Sequence, residues 1–164
     1  MKGVIKKISS DPLGLIGLCL VTLMVISALG APIFAPYDPI QLNIMERLQG
    51  PSVNHLLGTD QLGRDLFSRV LFGGQVALKV AFLTIGLALI VGIVLGLIAG
   101  YGPAWLDNSI MLLFDTIRSV PTIMLALAAV TVVGPSITTV IFVVAVSSIP
   151  NYGRIVRTQT LTLK

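Results

Sequence analysis

No charged residue occurs between Arg118 and Arg154, and the runs Leu13–Phe34 and Val80–Tyr101, 22 residues each, are equally free of charge. At about 1.5 Å of helical rise per residue, each 22-residue run reaches about 33 Å, enough to cross the hydrocarbon of a bilayer. Composition agrees. Only 11% of the 164 residues are charged and mean hydropathy is +0.97, whereas a soluble domain carries about 25% charge. With so little polar surface, the solvent that suits this chain is lipid. The net charge of +4 does not point to nucleic acid, because the basic residues stand at the ends of apolar runs. Cys19 is the only cysteine and lies within such a run, so neither an intrachain disulfide nor a cysteine metal cluster is available.

The first run is preceded by Lys2, Lys6 and Lys7 and followed by Pro32 and Pro36. It exceeds the roughly 7–15-residue core of a signal peptide, so an uncleaved span is expected. The long uncharged stretch after Arg118 is too long for one crossing, and Gly134-Pro135-Ser136 divides it into two antiparallel spans. Pro150 is expected to kink the last of these. Four crossings place Lys2, Lys6 and Lys7 on the same side as Arg154, Arg157 and Lys164, which the positive-inside rule makes cytoplasmic. The expected organisation is a cytoplasmic N-terminus over 1–12, a first span over 13–35, an extracytoplasmic loop over 36–75 and a second span over 76–101. A cytoplasmic link over 102–115, spans over 116–134 and 136–153 and a cytoplasmic end over 154–164 complete it. The fold class is all-α integral membrane, with about four transmembrane helices.

The loop is long for a membrane hairpin. Its proline-rich first half, from Pro36 to Pro51, reads as extended. Its second half reads as a helix over about 60–72, capped by Thr59, with Asp60 in the first turn and Gly73-Gly74 as its stop. Asp60 with Arg64, and Asp65 with Arg69, stand four apart in the favourable order for helical ion pairs. His55, Asp60 and Asp65 beside two arginines make poor zinc chemistry, so no metal site and no cofactor are expected. Docking of this helix onto the outer mouth of a pore is the functional alternative to a plain solvated helix.

Within the second span, Ala88, Gly92, Gly96 and Gly100 are spaced by four and form one stripe of small residues. Helices in lipid associate through such stripes because backbones can approach closely. Asp115 and Arg118, three apart, are expected to pair at the cytoplasmic edge, with Asp107 nearby. Hydroxyls within the spans, such as Thr22, Thr84, Thr131, Ser147 and Ser148, are expected to bond back to their own helices and offer no catalytic centre.

The stretch His55-Leu56-Leu57-Gly58-Thr59-Asp60-Gln61-Leu62-Gly63-Arg64-Asp65-Leu66-Phe67-Ser68-Arg69, continuing to Gly73, resembles one found in dipeptide, oligopeptide and nickel ABC-importer permeases. Asp11-Pro12-Leu13-Gly14, Ala35-Pro36-Tyr37-Asp38-Pro39, Ile117-Arg118-Ser119-Val120-Pro121 and Tyr152-Gly153-Arg154-Ile155-Val156-Arg157 follow in the order of that family. Gln75 stands where an arginine is common, and Gly102-Pro103-Ala104 varies the usual glycine-rich link. The resemblance implies a six-span subunit of the type I importer fold in a cytoplasmic membrane. It further implies a second permease subunit, two cytoplasmic ATPase subunits and an extracytoplasmic substrate-binding protein as partners, with peptides or nickel as cargo. The family continues past the position of Lys164 into a coupling helix and two further spans, so the chain is expected to be a front part, unable to transport alone. No glycine-rich phosphate loop ending in Lys-Ser/Thr is present, so the chain is expected to be no enzyme and to draw on partner subunits for ATP hydrolysis. A non-transporting accessory membrane protein, or an inactive fragment, is the alternative.

Overall fold

Asp11 and Pro12 start the first helix. The Asp11 carboxylate accepts from Leu13 N at 3.1 Å, and Pro12 occupies the first turn, where its missing N–H costs nothing. The computed structural model of the chain describes residues 11–163, and these fall into two compact units that meet between Leu78 and Lys79. Helices are Pro12–Leu29 (α1), Ala31–Phe34 (α2), Leu66–Tyr101 (α3), Ala104–Ser119 (α4), Thr122–Val133 (α5) and Ile137–Leu163 (α6), with a short 3-10 turn at Ile44–Glu46. No strand occurs among the described residues; a single bridge links Thr59 and Asp65. The architecture is all-α. Lys2, Lys6, Lys7 and Lys164, on which the topology argument leans, lie outside the described residues.

Three helices, α1, α3 and α6, are long and apolar enough to cross a membrane; α4 and α5 together make a fourth candidate, bent by 83°. The bend corrects the expected third span over 116–134 and the expected link over 102–115. Helix already begins at Ala104, and it breaks at Val120-Pro121. Pro121 has no N–H to donate and forces Val120 into extended backbone, φ −95° and ψ 126°. The helix expected to hold the fourth span, α6, runs on to Leu163 with Pro150 inside it.

In the first unit, α1 is apolar on all sides and almost every side chain is exposed, as suits a helix whose surroundings are lipid or other helices. Its end packs on α3, because a Cβ built on Gly74 would stand 3.1 Å from Ala28 Cβ. Gly73-Gly74 therefore does not stop a helix. Neither residue has the left-handed conformation that ends helices, and the ladder continues from Leu66 through the apolar run to Tyr101.

The second unit is built on α6. Gly92, Gly96 and Gly100 of α3 lie against Ile149–Gly153, Gly153–Val156 and Thr160. The approach is closest at Gly96, where a Cβ would meet Gly153 O at 2.5 Å and Val156 Cβ at 2.8 Å. Ala88, on the same stripe, is fully buried. From the other side, Phe114 of α4 packs onto Gly153, and Ile110, Phe114, Ala88, Ala99 and Ile149 form the buried core. α5 and α6 pack against each other across the Gly134-Pro135-Ser136 turn, in which Ser136 Oγ accepts from Thr139 N at 3.0 Å and caps α6. Thr131, Ser147 and Ser148 donate to carbonyls of their own helices. Thr84 does not: its Oγ1 is buried with no partner among the described residues.

Gly96→Leu is expected to destabilise the detergent-solubilised protein by about 1–3 kcal/mol, the range for overpacking a tight contact. Gly86→Ala, where nothing lies within 4 Å of an added Cβ, is expected to leave the thermal unfolding midpoint unchanged or slightly raised. Equal losses in both variants would refute the close-packed seam.

Candidate functional site

The residues from His55 to Asp65 fold as a turn hub in front of α3, so the helix expected over 60–72 begins only at Leu66. The reason is local. Asp60 and Asp65 spend their carboxylates on backbone N–H groups, which favours turns and caps over helix interiors. Asp60 Oδ1 accepts from Leu62 N at 2.8 Å and from Arg64 N at 3.0 Å, while Asp60 N donates to Arg64 O at 3.0 Å. Gly63 completes this turn at φ +72°, with a position so close to Asn43 that a Cβ would overlap its carbonyl oxygen at 1.6 Å. Asp65, not Thr59, caps the following helix: its Oδ2 accepts from Ser68 N and from Ser68 Oγ, both at 2.7 Å. Thr59 instead ties the loop together, accepting from Gln49 N at 2.9 Å and donating to Glu46 O. Gly58, at φ +77°, passes under Gln49 and its carbonyl accepts from Leu66 N at 3.0 Å.

The ion pairs differ in part from expectation. Asp60 and Arg64 do pair, with Arg64 Nε at 2.8 Å from Asp60 Oδ2. Arg69, however, also reaches Asp60, and Asp65 turns away from it to His55, whose Nδ1 is 2.9 Å from Asp65 Oδ1. Asp65 cannot serve both, because capping Ser68 fixes its rotamer towards the buried side. The second imidazole nitrogen of His55 lies 3.4 Å from Glu46 Oε2, and the ring stacks obliquely on Tyr37 at 4.9 Å. Tyr37 N donates to Ser68 Oγ at 3.2 Å, which pins the start of the loop to the first turn of α3. Sequence reasoning missed Tyr37, Glu46 and Gln49 as members of this hub, since they are distant in the chain and carry no periodic signal.

His55 and Asp65 are both nearly inaccessible, at 4% and 3% exposure, so their charges are consequential. The hydrogen bond that the His55 imidazole donates to Asp65 raises the His55 pKa against the opposing pull of burial, and Glu46 adds to the rise. For Asp65, burial pushes upward, but the Ser68 N–H, His55 and the Ser68 hydroxyl together hold the carboxyl below its usual range. For Asp60, burial is likewise outweighed by Arg64 and the backbone donors, and its pKa falls to about 2. Beside the imidazole, Asp38, Gln41, Asn43 and Glu46 help to line a cleft of about 80 Å³. This is well below the roughly 300 Å³ of an ordinary ligand pocket. That cleft is too small to seat a peptide; larger hollows of about 500 and 360 Å³ lie beside the hub against Pro39, Ile40 and Phe72, with Tyr37 on one and Arg64 and Arg69 on the other. Among the described residues no cluster of three or more His, Cys, Asp or Glu could hold a metal.

The second candidate group lies on α4 and α6. Asp115 bonds to Arg154, 39 residues away, and not to Arg118 one turn on; Arg118 is exposed. Asp107 takes Arg157 in a two-pronged pair, from Nε and from Nη2, 50 residues apart in sequence. Asp115 is two-thirds exposed and contributes little. Asp107 is largely covered and its paired geometry makes it the stronger strap between α4 and α6.

These features define a multi-pass helical membrane protein whose inner helices are packed for protein contact and whose loop is stapled to a membrane helix. Residues 92–163 match the family described as binding-protein-dependent transport system inner membrane component, and residues 1–51 match the N-terminal TM domain of oligopeptide transport permease C. A dipeptide transport system permease protein of Alkalihalophilus pseudofirmus is 38% identical over 159 residues, covering 97% of this chain and 52% of that protein. A glutathione transport system permease protein of Pectobacterium atrosepticum is 40% identical over 145 residues, covering 88% and 48%. A probable D,D-dipeptide transport system permease protein of Escherichia coli K12 is 32% identical over 157 residues, covering 96% and 53%. The chain belongs to the binding-protein-dependent permease family of ABC importers. It spans about half the length of the curated relatives it matches.

The shifted groups set a pH window for the hub. Stability from Asp60 and Asp65 is present above about pH 4, their unfolded range, and is lost as pH falls towards their depressed folded values. Stability from His55 is full below about pH 6.5 and is lost as pH rises through its raised folded value. Protease resistance of the loop is therefore expected to be greatest between about pH 4 and 6.5 and to fall on the alkaline side. His55→Gln should flatten that alkaline limb. Asp65→Ala should cost about 0.5–2 kcal/mol, the range for a lost cap. An alkaline limb that persists in His55→Gln would rule out this assignment.

Proposed function

We propose that the chain forms membrane-spanning structure of a permease subunit in an ATP-driven importer of peptides across the cytoplasmic membrane. The observation that carries this reading is the similarity, over most of the chain, to proteins named as dipeptide and glutathione transport permeases. The residues support a passive, moving role. The chain lacks a phosphate-binding loop of its own, so it performs no ATP hydrolysis, and energy comes from two cytoplasmic ATPase subunits. A second permease subunit completes the pathway, and an extracytoplasmic binding protein delivers the cargo. Both ends of the chain face the cytoplasm, on the strength of the basic residues that flank the first and last spans.

Transport follows from rocking of rigid helix groups about soft joints. The backbones of α3 and α6 meet too closely to slide independently, and the Asp107–Arg157 strap adds α4 to the same body. The Val120-Pro121 break gives α5 freedom to change its angle without tearing a hydrogen-bond ladder, because Pro121 has no N–H to lose. Ordinary closure of the ATPases then reorients this body around the cargo path.

The complete gene product, co-expressed with its neighbouring transport genes in a strain deficient in peptide uptake, is expected to restore ATP-dependent accumulation of a labelled dipeptide. Accumulation no greater than in membranes lacking it would overturn the reading. Impermeant thiol reagents applied to cysteines placed at residues 2 and 164 test the orientation: both should be protected in intact cells.

A further inference from the structure

The loop between α1 and α3 displays large apolar side chains. Ile33, Ile40, Ile44, Met45, Leu48 and Val53 are 83%, 76%, 68%, 93%, 69% and 96% exposed. A solvated loop gains nothing from such side chains. Their display is also enforced by the backbone. Leu48 is the sole non-glycine residue with positive φ among the described residues, at +55°. A leucine rarely adopts this conformation. It is held there by the bond from Leu48 N to Asp60 O at 3.0 Å, within the same turn hub that locks the loop to α3. The 3-10 turn Ile44–Glu46 immediately before it presents Ile44 and Met45.

The level of this surface follows from contacts inside the first unit. Ala28, at the end of α1, touches α3 at Gly74. Helix α3 starts at Leu66, so only eight residues, about 12 Å, lie between that contact and the hub. The polar layer on each side of a bilayer is of similar depth, about 5–10 Å. The loop is fastened to those same turns through Tyr37, Asp60 and Asp65, and cannot stand far from the membrane. From Leu29 through Ile33 and Ile40 to Met45, exposed apolar side chains continue the lipid-facing surface of α1 without a gap in the chain longer than the Pro36–Pro39 turn.

We infer that Ile40, Ile44, Met45, Leu48 and Val53 form a lipid-seated surface, in which the loop lies in the headgroup and upper acyl layer of the bilayer it leaves. The occupant of this face is the lipid surface and not a docking protein. The apolar display continues that of α1 along the chain and is held within about 12 Å of the α1–α3 contact, where the bilayer itself lies. The bilayer is present throughout, and Arg47, exposed between Met45 and Leu48, suits the phosphate level.

Single spin labels at Met45, Leu48 and Val53, in a Cys19→Ala background of the full chain in liposomes, report the surroundings directly. A label on the native Cys19, exposed in the middle of α1, serves as the hydrocarbon reference, and free label in buffer as the aqueous one. Lipid seating predicts that collisions with oxygen exceed collisions with a water-soluble nickel chelate at 45 and 48, with a depth between the two references. Dominant nickel-chelate collisions at all three positions, as for free label, would overturn it. So would labels that become shielded from both reagents only when a partner protein is added. Retained protease resistance of the hub shows that each labelled protein is folded; Met45 and Val53, being almost wholly exposed, tolerate the label even if Leu48 does not.

Discussion

Between helices already in hydrocarbon, burying a leucine against another leucine gains little, because lipid tails solvate it equally well. What remains is close contact of atoms, and that grows as backbones approach. The seam of α3 with α6 uses this. Gly92, Gly96 and Gly100 remove the side chains that would hold the helices apart, and Gly153 does the same from the α6 side. Phe114 can then reach Gly153 from α4 and complete the core. The two-pronged Asp107–Arg157 pair closes the end of this body, at a depth where its charges are largely covered. The rest of the second unit is arranged around that seam.

The first unit is governed by a different economy, that of backbone hydrogen bonds in a loop without regular structure. A loop of this length has many N–H and C=O groups to satisfy. Asp60, Thr59 and Asp65 satisfy them with short side chains, while Gly58 and Gly63 allow strands of the loop to cross at distances a Cβ forbids. Within the permease-like stretch, His55, Gly58, Thr59, Asp60, Gly63, Arg64, Asp65, Ser68 and Arg69 each have a bond or a close approach that ties the loop together. His55 is clamped between Asp65 and Glu46 and stacked on Tyr37, which accounts for its burial.

Gly73-Gly74 reads as a stop in a sequence because glycine is common where helices end. In the structure α3 passes straight through it, and Gly74 is there to receive Ala28. Asp65 and Arg69 have helical spacing, and Arg69 N does donate to Asp65 O at 3.2 Å, but the Asp65 side chain caps the helix and turns to His55 instead of pairing with Arg69. Arg118 is the near neighbour of Asp115, but Arg154 arrives from another helix and takes it. In each case a local rule was overruled by a partner remote in the chain.

Sequence alone determined the solvent of this protein and the number of apolar segments, since uncharged runs of spanning length leave no other home for the chain. It also marked the small stripe from Ala88 to Gly100 and the family to which the chain belongs. Only the tertiary structure decided what the stripe meets, where the third candidate span bends, and which carboxylate holds which base. Periodicity and composition are properties of one segment and survive in the bare sequence. Pairing is a property of two segments, and depends on the distance and angle at which folding brings them together.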